Sequence, residues 1–192
     1  HIQHKTDVGG VRLNINNAAA VRLVYKELLE AVRKKVPDIK SFSVSIEPMY
    51  TDPFGRECLV GANRDPVFGT TIVFGAGGVK VEVLQDTAIA LPPLNTFLAY
   101  KLINQTKIAA MLGEFRDMPA VNRDALIQVL LRVSEMVCEL PEIESLDINP
   151  LVVDERGVLA LDVRIIVAHH VKKINRYDHM ACLLYTSPSP RD

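Results

Sequence analysis

The stretch spanning residues 144–167 constrains the fold most, because two apolar runs face each other across a four-residue turn. Residues 144–153 and 158–167 flank Asp154-Glu155-Arg156-Gly157, a composition suited to a hairpin turn. Symmetric closure about Glu155 and Arg156 pairs Val153 with Val158, Leu151 with Ala160 and Asn149 with Asp162, whether the loop has two residues or four. Side chains alternate along a strand, so Arg164 opposes Asp147 on the face that also carries Asn149 and Asp162. Opposed Cβ atoms lie about 5 Å apart. An amide oxygen and a carboxylate then converge on one spot, as a hard divalent cation such as Mg²⁺ requires. The same pattern also reads as a polar, solvated sheet face carrying one cross-strand ion pair. Pro150 lacks an N–H for the ladder and admits a bulge, which weakens the register.

The rest of the chain alternates irregularly between the two periodicities. Residues 11–15 read as a short strand. Asn17 is a good N-cap for a helix running to about Lys35, with Val21, Val24, Leu28 and Val32 on one face and Pro37 as its stop. Phe42, Val44 and Ile46 alternate with Ser41, Ser43, Ser45 and Glu47, which predicts a half-buried strand closed by Pro48. The turn at residues 52–55 then leads into a strand over 57–63, so the two strands are expected to form a hairpin with Glu47 and Glu57 at its inner ends. Strands over 70–74, 79–84 and 87–91 surround Gly75-Ala76-Gly77-Gly78, and Pro92-Pro93 ends the last of them. Helices follow over about 95–105 and 122–140, the second with Leu126, Val129, Leu130, Val133 and Val137 on its core face. Pro141 ends it. Strands mixed with helices in this order, without an internal repeat, argue for an α+β fold rather than a doubly wound parallel sheet.

Composition narrows the class of partner. Lys and Arg number 22 against 23 Asp and Glu, so there is no global field to attract a nucleic acid or an anionic membrane. No run of eighteen apolar residues exists to span a bilayer as a helix. Cys58, Cys138 and Cys182 are odd in number, dispersed and outside any CxxC pair, which suits a reducing, cytoplasmic setting better than a disulfide framework or a zinc site. Both ends are expected to be cut. The chain starts at His1 without Met, and residues 182–192, CLLYTSPSPRD, match in order the translation of a transposase sequencing adapter. This tail is therefore set apart from fold and function.

Taken singly, the remaining candidates have two readings each. Gly9-Gly10 and the 75–78 cluster fit neither GxGxxG nor GxxxxGK[ST], so they are turns or places where backbone amides approach phosphate. His4 beside Lys5 is a surface pair or a phosphoryl acceptor. Glu47 and Glu57 are ordinary strand-end charges, and Cys58 and Cys138 small core residues.

Six strings in order carry a further reading: HKTDVGGV (4–11), IEPM (46–49), GRECLVGANRDPVFG (55–69), FGAGG (74–78), LPPLN (91–95) and LDINPLVVDERGVLALDVRI (146–165). Together they resemble the ATP-grasp part of NDP-forming acyl-CoA synthetases, the ADP-forming acetate-CoA ligase family. The resemblance implies an ATP-grasp domain over residues 1–167 that lacks its N-terminal lid segment and a nucleotide-binding lysine. Residues 168–181 would then be a linker. It implies metal ligation by Asn149 and Asp162, the two residues that the hairpin register sets opposite each other. It further implies nucleotide contacts at Glu47 and Glu57 and at the Gly9-Gly10 pair, and phosphoryl relay by His4. The implied reaction is acyl-CoA + ADP + phosphate ⇌ carboxylic acid + CoA + ATP, with ATP/ADP and Mg²⁺ as cofactors. A CoA-binding, phosphohistidine-bearing region in the same or a partner chain completes it, so this chain alone is expected to be inactive. RYDHMA (176–181) resembles the approach to a GNAT acetyltransferase domain. That implies the alternative of a regulatory acyl-CoA or nucleotide sensor fused to a protein lysine acetyltransferase.

Overall fold

Asn17 starts the first helix as its side chain suggests: its Oδ1 accepts a hydrogen bond from the Ala20 N–H at 2.8 Å, and α1 runs over Ala18–Lys35. Leu28 and Val32 are buried on one stripe, while Val21 and Val24 are half-buried. Val36 closes the helix by donating its N–H to the Val32 carbonyl, and Pro37 disfavours helical backbone at the residue before it. The computed structural model describes residues 9–38, 40–78 and 86–168, and α1 belongs to the first of two compact units, His1–Asp52 and Pro53–Asp192.

Two strands expected in the first unit are absent. Over residues 11–15 the backbone is irregular, with Leu13 64% exposed, because Asn14 takes a left-handed φ of 59° that breaks an extended run. Residues 41–50 also form no strand, although Phe42 and Val44 keep the alternate half-burial that their spacing predicts. The hairpin joining them to residues 57–63 does not exist. Its intended partner uses both of its edges elsewhere, as follows.

The second unit is built on an antiparallel sheet. Its strands are β1 (Arg56–Asp65), β2 (Gly69–Ala76), β3 (Thr87–Ala90), β4 (Ile143–Val153), β5 (Val158–Ala160) and β6 (Val163–Val167). The order is β3-β2-β1-β4-β5, with β6 also on β4, so β1 lies between β2 and β4. Period-two patterning builds the core face. Cys58, Val60 and Ala62 point in from β1, Ile72 and Phe74 from β2, and Leu146, Ile148, Leu151 and Val153 from β4. Helices α2 (Thr96–Asn104), capped by Asn95, and α3 (Arg123–Glu139), capped by Asn122, bring Leu102, Ile103, Leu126, Leu130, Val133 and Val137 to the same cluster. Truncating one of the fully buried leucines to alanine would cost about 2–5 kcal/mol in lost burial and cavity formation.

Arg56 and Asp86 are buried but structural. The Arg56 guanidinium donates to the carbonyls of Phe54, Met111 (3.0 Å), Gly113 (3.5 Å) and Pro119 (2.7 Å). Asp86 accepts from the N–H groups of Lys107 (2.6 Å) and Ile108 (2.7 Å), and so caps the short 3₁₀ helix Lys107–Met111, whose own N-cap residue Thr106 makes no side-chain cap. Neither role is readable from local sequence. The expected strand over 79–84 and the segments after residue 168, the proposed linker and the 182–192 tail included, lie outside the described residues.

The terminal hairpin forms in the expected register. Val153 pairs with Val158, Leu151 with Ala160, and Asp147 with Arg164. The second run is divided into β5 and β6 by a break at Leu161 and Asp162, opposite Asn149 and Pro150. Two backbone bonds bridge the break, Asn149 N–H to the Asp162 carbonyl at 3.1 Å and Leu161 N–H to the Pro150 carbonyl at 3.0 Å. On its other edge β4 carries a bulge. Cys58 opposes Leu151 and Val60 opposes Ile148, so Asn149 and Pro150 together face the single residue Leu59.

Candidate functional site

The bulge shapes the site. Pro150 has no N–H to give to β1, and the extra residue re-aims Asn149 away from the regular pleat. The Asn149 Oδ1 accepts a hydrogen bond from the Gly78 N–H at 2.9 Å. Gly78 has a φ of 70°, and a Cβ on it would overlap Oε2 of Glu57. The preceding residue ties the same corner down, because the Gly77 N–H donates to the Glu57 carbonyl at 2.8 Å and a Cβ on Gly77 would overlap the Cys58 backbone. The glycine cluster is therefore the place where the end of β2 crosses closely over β1. Glu57, Gly78 and Asn149 come together there, and the hairpin register adds Asp162 across from Asn149.

Charge on this face is mixed. Arg164 pairs in register with Asp147. The Asp147 carboxyl is raised above the ordinary carboxylate range by lost hydration; Arg164 pulls it down and the negative Asp162 pushes it up. Asp162 and Glu57 are exposed, and Asn149 is half-buried. On the opposite, core side of β1, burial pushes the Cys58 thiol up to about 12, so Cys58 is a packing residue without nucleophilic character.

Asn149, Asp162 and Glu57 offer only oxygen donors, the set preferred by Mg²⁺ over softer metals. No group of three or more His, Cys, Asp or Glu suited to a metal occurs among the described residues. Mg²⁺ takes one or two carboxylates and fills its remaining positions with water and substrate phosphate. The remaining sequence candidates belong to the first unit. Glu47 is exposed and accepts from the Ser45 hydroxyl at 2.9 Å. Gly9 has a φ of 69° and stands beside Ala31, with Gly10 following it in the same loop. The shared-hairpin argument for Glu47 and Glu57 fails, since β2 and β4 occupy both edges of β1. His4 lies outside the described residues. The link that Gly78 makes between Glu57 and Asn149 is not legible in the sequence, whose signals there are the density of glycine at 75–78 and the FGAGG string.

The sheet flanked by helices, with this oxygen-rich corner, is accompanied by a family match. The ATP-grasp domain profile matches residues 1–167, and the chain belongs to that family. Within it, the chain is related to ADP-forming acetate–CoA ligases. It is 37% identical over 166 residues to the β subunit of acetate–CoA ligase [ADP-forming] I from Pyrococcus furiosus, covering 86% of this chain and 71% of that one. It is 34% identical to acetate–CoA ligase [ADP-forming] I from Archaeoglobus fulgidus, covering 88% of this chain but 24% of the longer relative. Among solved structures, dinucleotide-forming acetyl-coenzyme A synthetase 1 of Ca. Korarchaeum cryptofilum, in complex with coenzyme A, Ca-AMPCP and HgCl⁺, superposes with a TM-score of 0.76 at 34% identity over 86% of this chain and 72% of that one. The same enzyme with coenzyme A and Mg-AMPPCP, its phosphohistidine segment pointing towards the nucleotide binding site, gives 0.70 at 32% identity, covering 87% of this chain and 72% of that one. The α+β, ATP-grasp expectation is thus met. The acetyltransferase-fused sensor finds no support in these relatives, which are ligases and synthetases by name. No described helix is long and apolar enough to cross a membrane.

Proposed function

We propose that this chain is the nucleotide-binding part of an ADP-forming acetate-CoA, or more broadly acyl-CoA, ligase, and that Glu57, Asn149 and Asp162 hold its Mg²⁺-nucleotide. The reading is supported by the contacts of Gly78 with Glu57 and Asn149, and by the backbone bond that sets Asp162 opposite Asn149. Bound Mg²⁺ supplies charge neutralisation at the nucleotide phosphates during phosphoryl transfer. Asn149 and Asp162 are the residues that would ligate it. Glu57 holds the nucleotide; for Glu47, Gly9 and Gly10, in the first unit, a nucleotide contact is supported by the family resemblance alone.

In the ATP-consuming direction, a neutral imidazole nitrogen of His4 attacks the γ-phosphorus. The N–P bond forms as the bond to the bridging oxygen breaks, and ADP leaves. The phosphoryl group then passes to a phosphohistidine-bearing, CoA-binding region in the same or a partner chain, where carboxylic acid and CoA become acyl-CoA. Support for that division comes from relatives that are named as separate β subunits or as much longer single chains. A cytoplasmic setting is the reading favoured by cysteines dispersed along the chain outside any CxxC pair.

The test is calorimetric titration of the full-length protein with ADP in the presence of Mg²⁺. Asp162→Ala and Asn149→Ala should each weaken binding about tenfold or more, and the exposed turn variant Glu155→Ala should stay within about twofold. Equal effects of the three substitutions would remove the site.

A further inference from the structure

We propose that Gly78 is a positioning residue of this site, setting through its main-chain N–H and its missing side chain how Asn149 and Glu57 present oxygen to a metal-nucleotide. The proposal rests on the nucleotide reading above and names what holds that site in shape. Three observations carry it. The Gly78 N–H donates to Asn149 Oδ1 at 2.9 Å. The backbone there has a φ of 70°, open to glycine and poorly to other residues. The space a Cβ would fill is taken by the Glu57 carboxylate.

The chemistry follows from the asymmetry of an amide. One end of the Asn149 side chain accepts and the other donates, and the two have nearly the same shape. A fixed N–H donor faces only the oxygen end comfortably, so Gly78 chooses which end is turned to the corner. An amide oxygen has two acceptor sites, and one remains for a cation after the Gly78 bond is made. Without that donor the amide is free to turn and to offer its NH₂ to a positive charge. Glu57 is controlled sterically: its head group occupies the hollow over Gly78, while its own carbonyl is held by the Gly77 N–H at 2.8 Å. One residue thus couples a strand-β1 carboxylate to a strand-β4 amide that lies far along the chain. Partners of this kind, which orient a ligand without touching the metal, typically change metal affinity by about 10–100-fold when lost.

The experiment titrates ADP into the full-length protein with Mg²⁺ and with EDTA, for wild type, Gly78→Ala, Asn149→Ala and the double variant. Gly113→Ala is the control, since a Cβ there meets nothing within 4 Å. Gly78→Ala should reduce the Mg²⁺-dependent gain in affinity about tenfold or more, and the control should leave it unchanged. In the Asn149→Ala background the same substitution should cost clearly less of that gain than in wild type, because the amide it orients is gone and only the part acting through Glu57 remains. Equal losses in both backgrounds, or none in either, overturn the proposal. Should Gly78→Ala fail to fold, amide hydrogen exchange decides without it: the Gly78 N–H should exchange at least about tenfold faster in Asn149→Ala than in wild type. Equal protection means the bond does not hold Asn149, and the proposal falls. Wild-type binding by Asn149→Ala itself would sink the metal reading, and Gly78 with it, whereas loss in Asn149→Ala without loss in Gly78→Ala sinks Gly78 alone.

Discussion

Arg56 stands next to Glu57 in the sequence, and a cation beside a nucleotide carboxylate invites a phosphate-binding role. The structure assigns it the opposite one, because alternation along β1 turns Arg56 to the core side, where its guanidinium is spent on main-chain carbonyls. Arg56→Met keeps the bulk of the stem and removes every donor. The Met111 and Pro119 carbonyls, bonded at 3.0 and 2.7 Å, lose their charged partner. Both acceptors are only part-buried, so water replaces some of the lost bonding and each costs towards the low end of about 1–3 kcal/mol, and part of that is recovered because a buried charge no longer has to be desolvated. A net loss of about 2 kcal/mol is expected, which lowers the thermal midpoint of a chain this long by about 4–8 °C. Circular dichroism melts measure that drop, and ADP titration at about 15 °C, where the variant remains folded, should give a Kd within about twofold of wild type. A midpoint unchanged within about 2 °C, together with a large loss of ADP affinity, would refute the argument and return Arg56 to the ligand side.

Two further outcomes follow from single residues. Asp65 accepts the N–H groups of Val67 (2.7 Å) and Phe68 (2.8 Å), which hold its carboxyl below the usual range. Its folded pKa is lowered, so its contribution is present above the unfolded value of about 4 and is lost as pH falls through the folded one; Asp65→Asn should therefore flatten the pH dependence of the thermal midpoint below about pH 4, and an unchanged slope would discount the turn. For His4, incubation of the full-length protein with γ-labelled ATP and Mg²⁺ should yield acid-labile, base-stable phosphate that His4→Ala abolishes or sharply reduces, whereas full labelling and turnover in the variant would remove the relay.

What could be read from sequence divides along the distance over which the interactions act. The terminal hairpin was legible because its register is set locally. The Asp154 side chain accepts from the N–H groups of Arg156 (2.8 Å) and Gly157 (2.9 Å), and the Asp154 N–H donates to the Gly157 carbonyl at 3.0 Å, so the turn sets the pairs behind it as far as Ser145 with Ile166, Asn149 opposite Asp162 included, before the register shifts at Ile143. Helix caps at Asn17, Asn95 and Asn122 are local in the same sense. The alternation of Phe42, Val44 and Ile46 was equally plain and yet made no strand, because a period of two describes a surface and does not supply a neighbour to pair with. β1 takes β2 from a nearby turn and β4 from the far end of the chain, and topology alone decides between a distant partner and an adjacent one. The site shows the same division within a few ångströms. Its Asn149–Asp162 half is a turn-controlled pair, while the Glu57–Gly78–Asn149 half joins three points that meet only after the whole sheet is assembled. Assembly of that corner therefore depends on sheet closure, and a substitution that loosens β1 against β4 would dissolve the corner before disturbing the hairpin that carries half of its ligands.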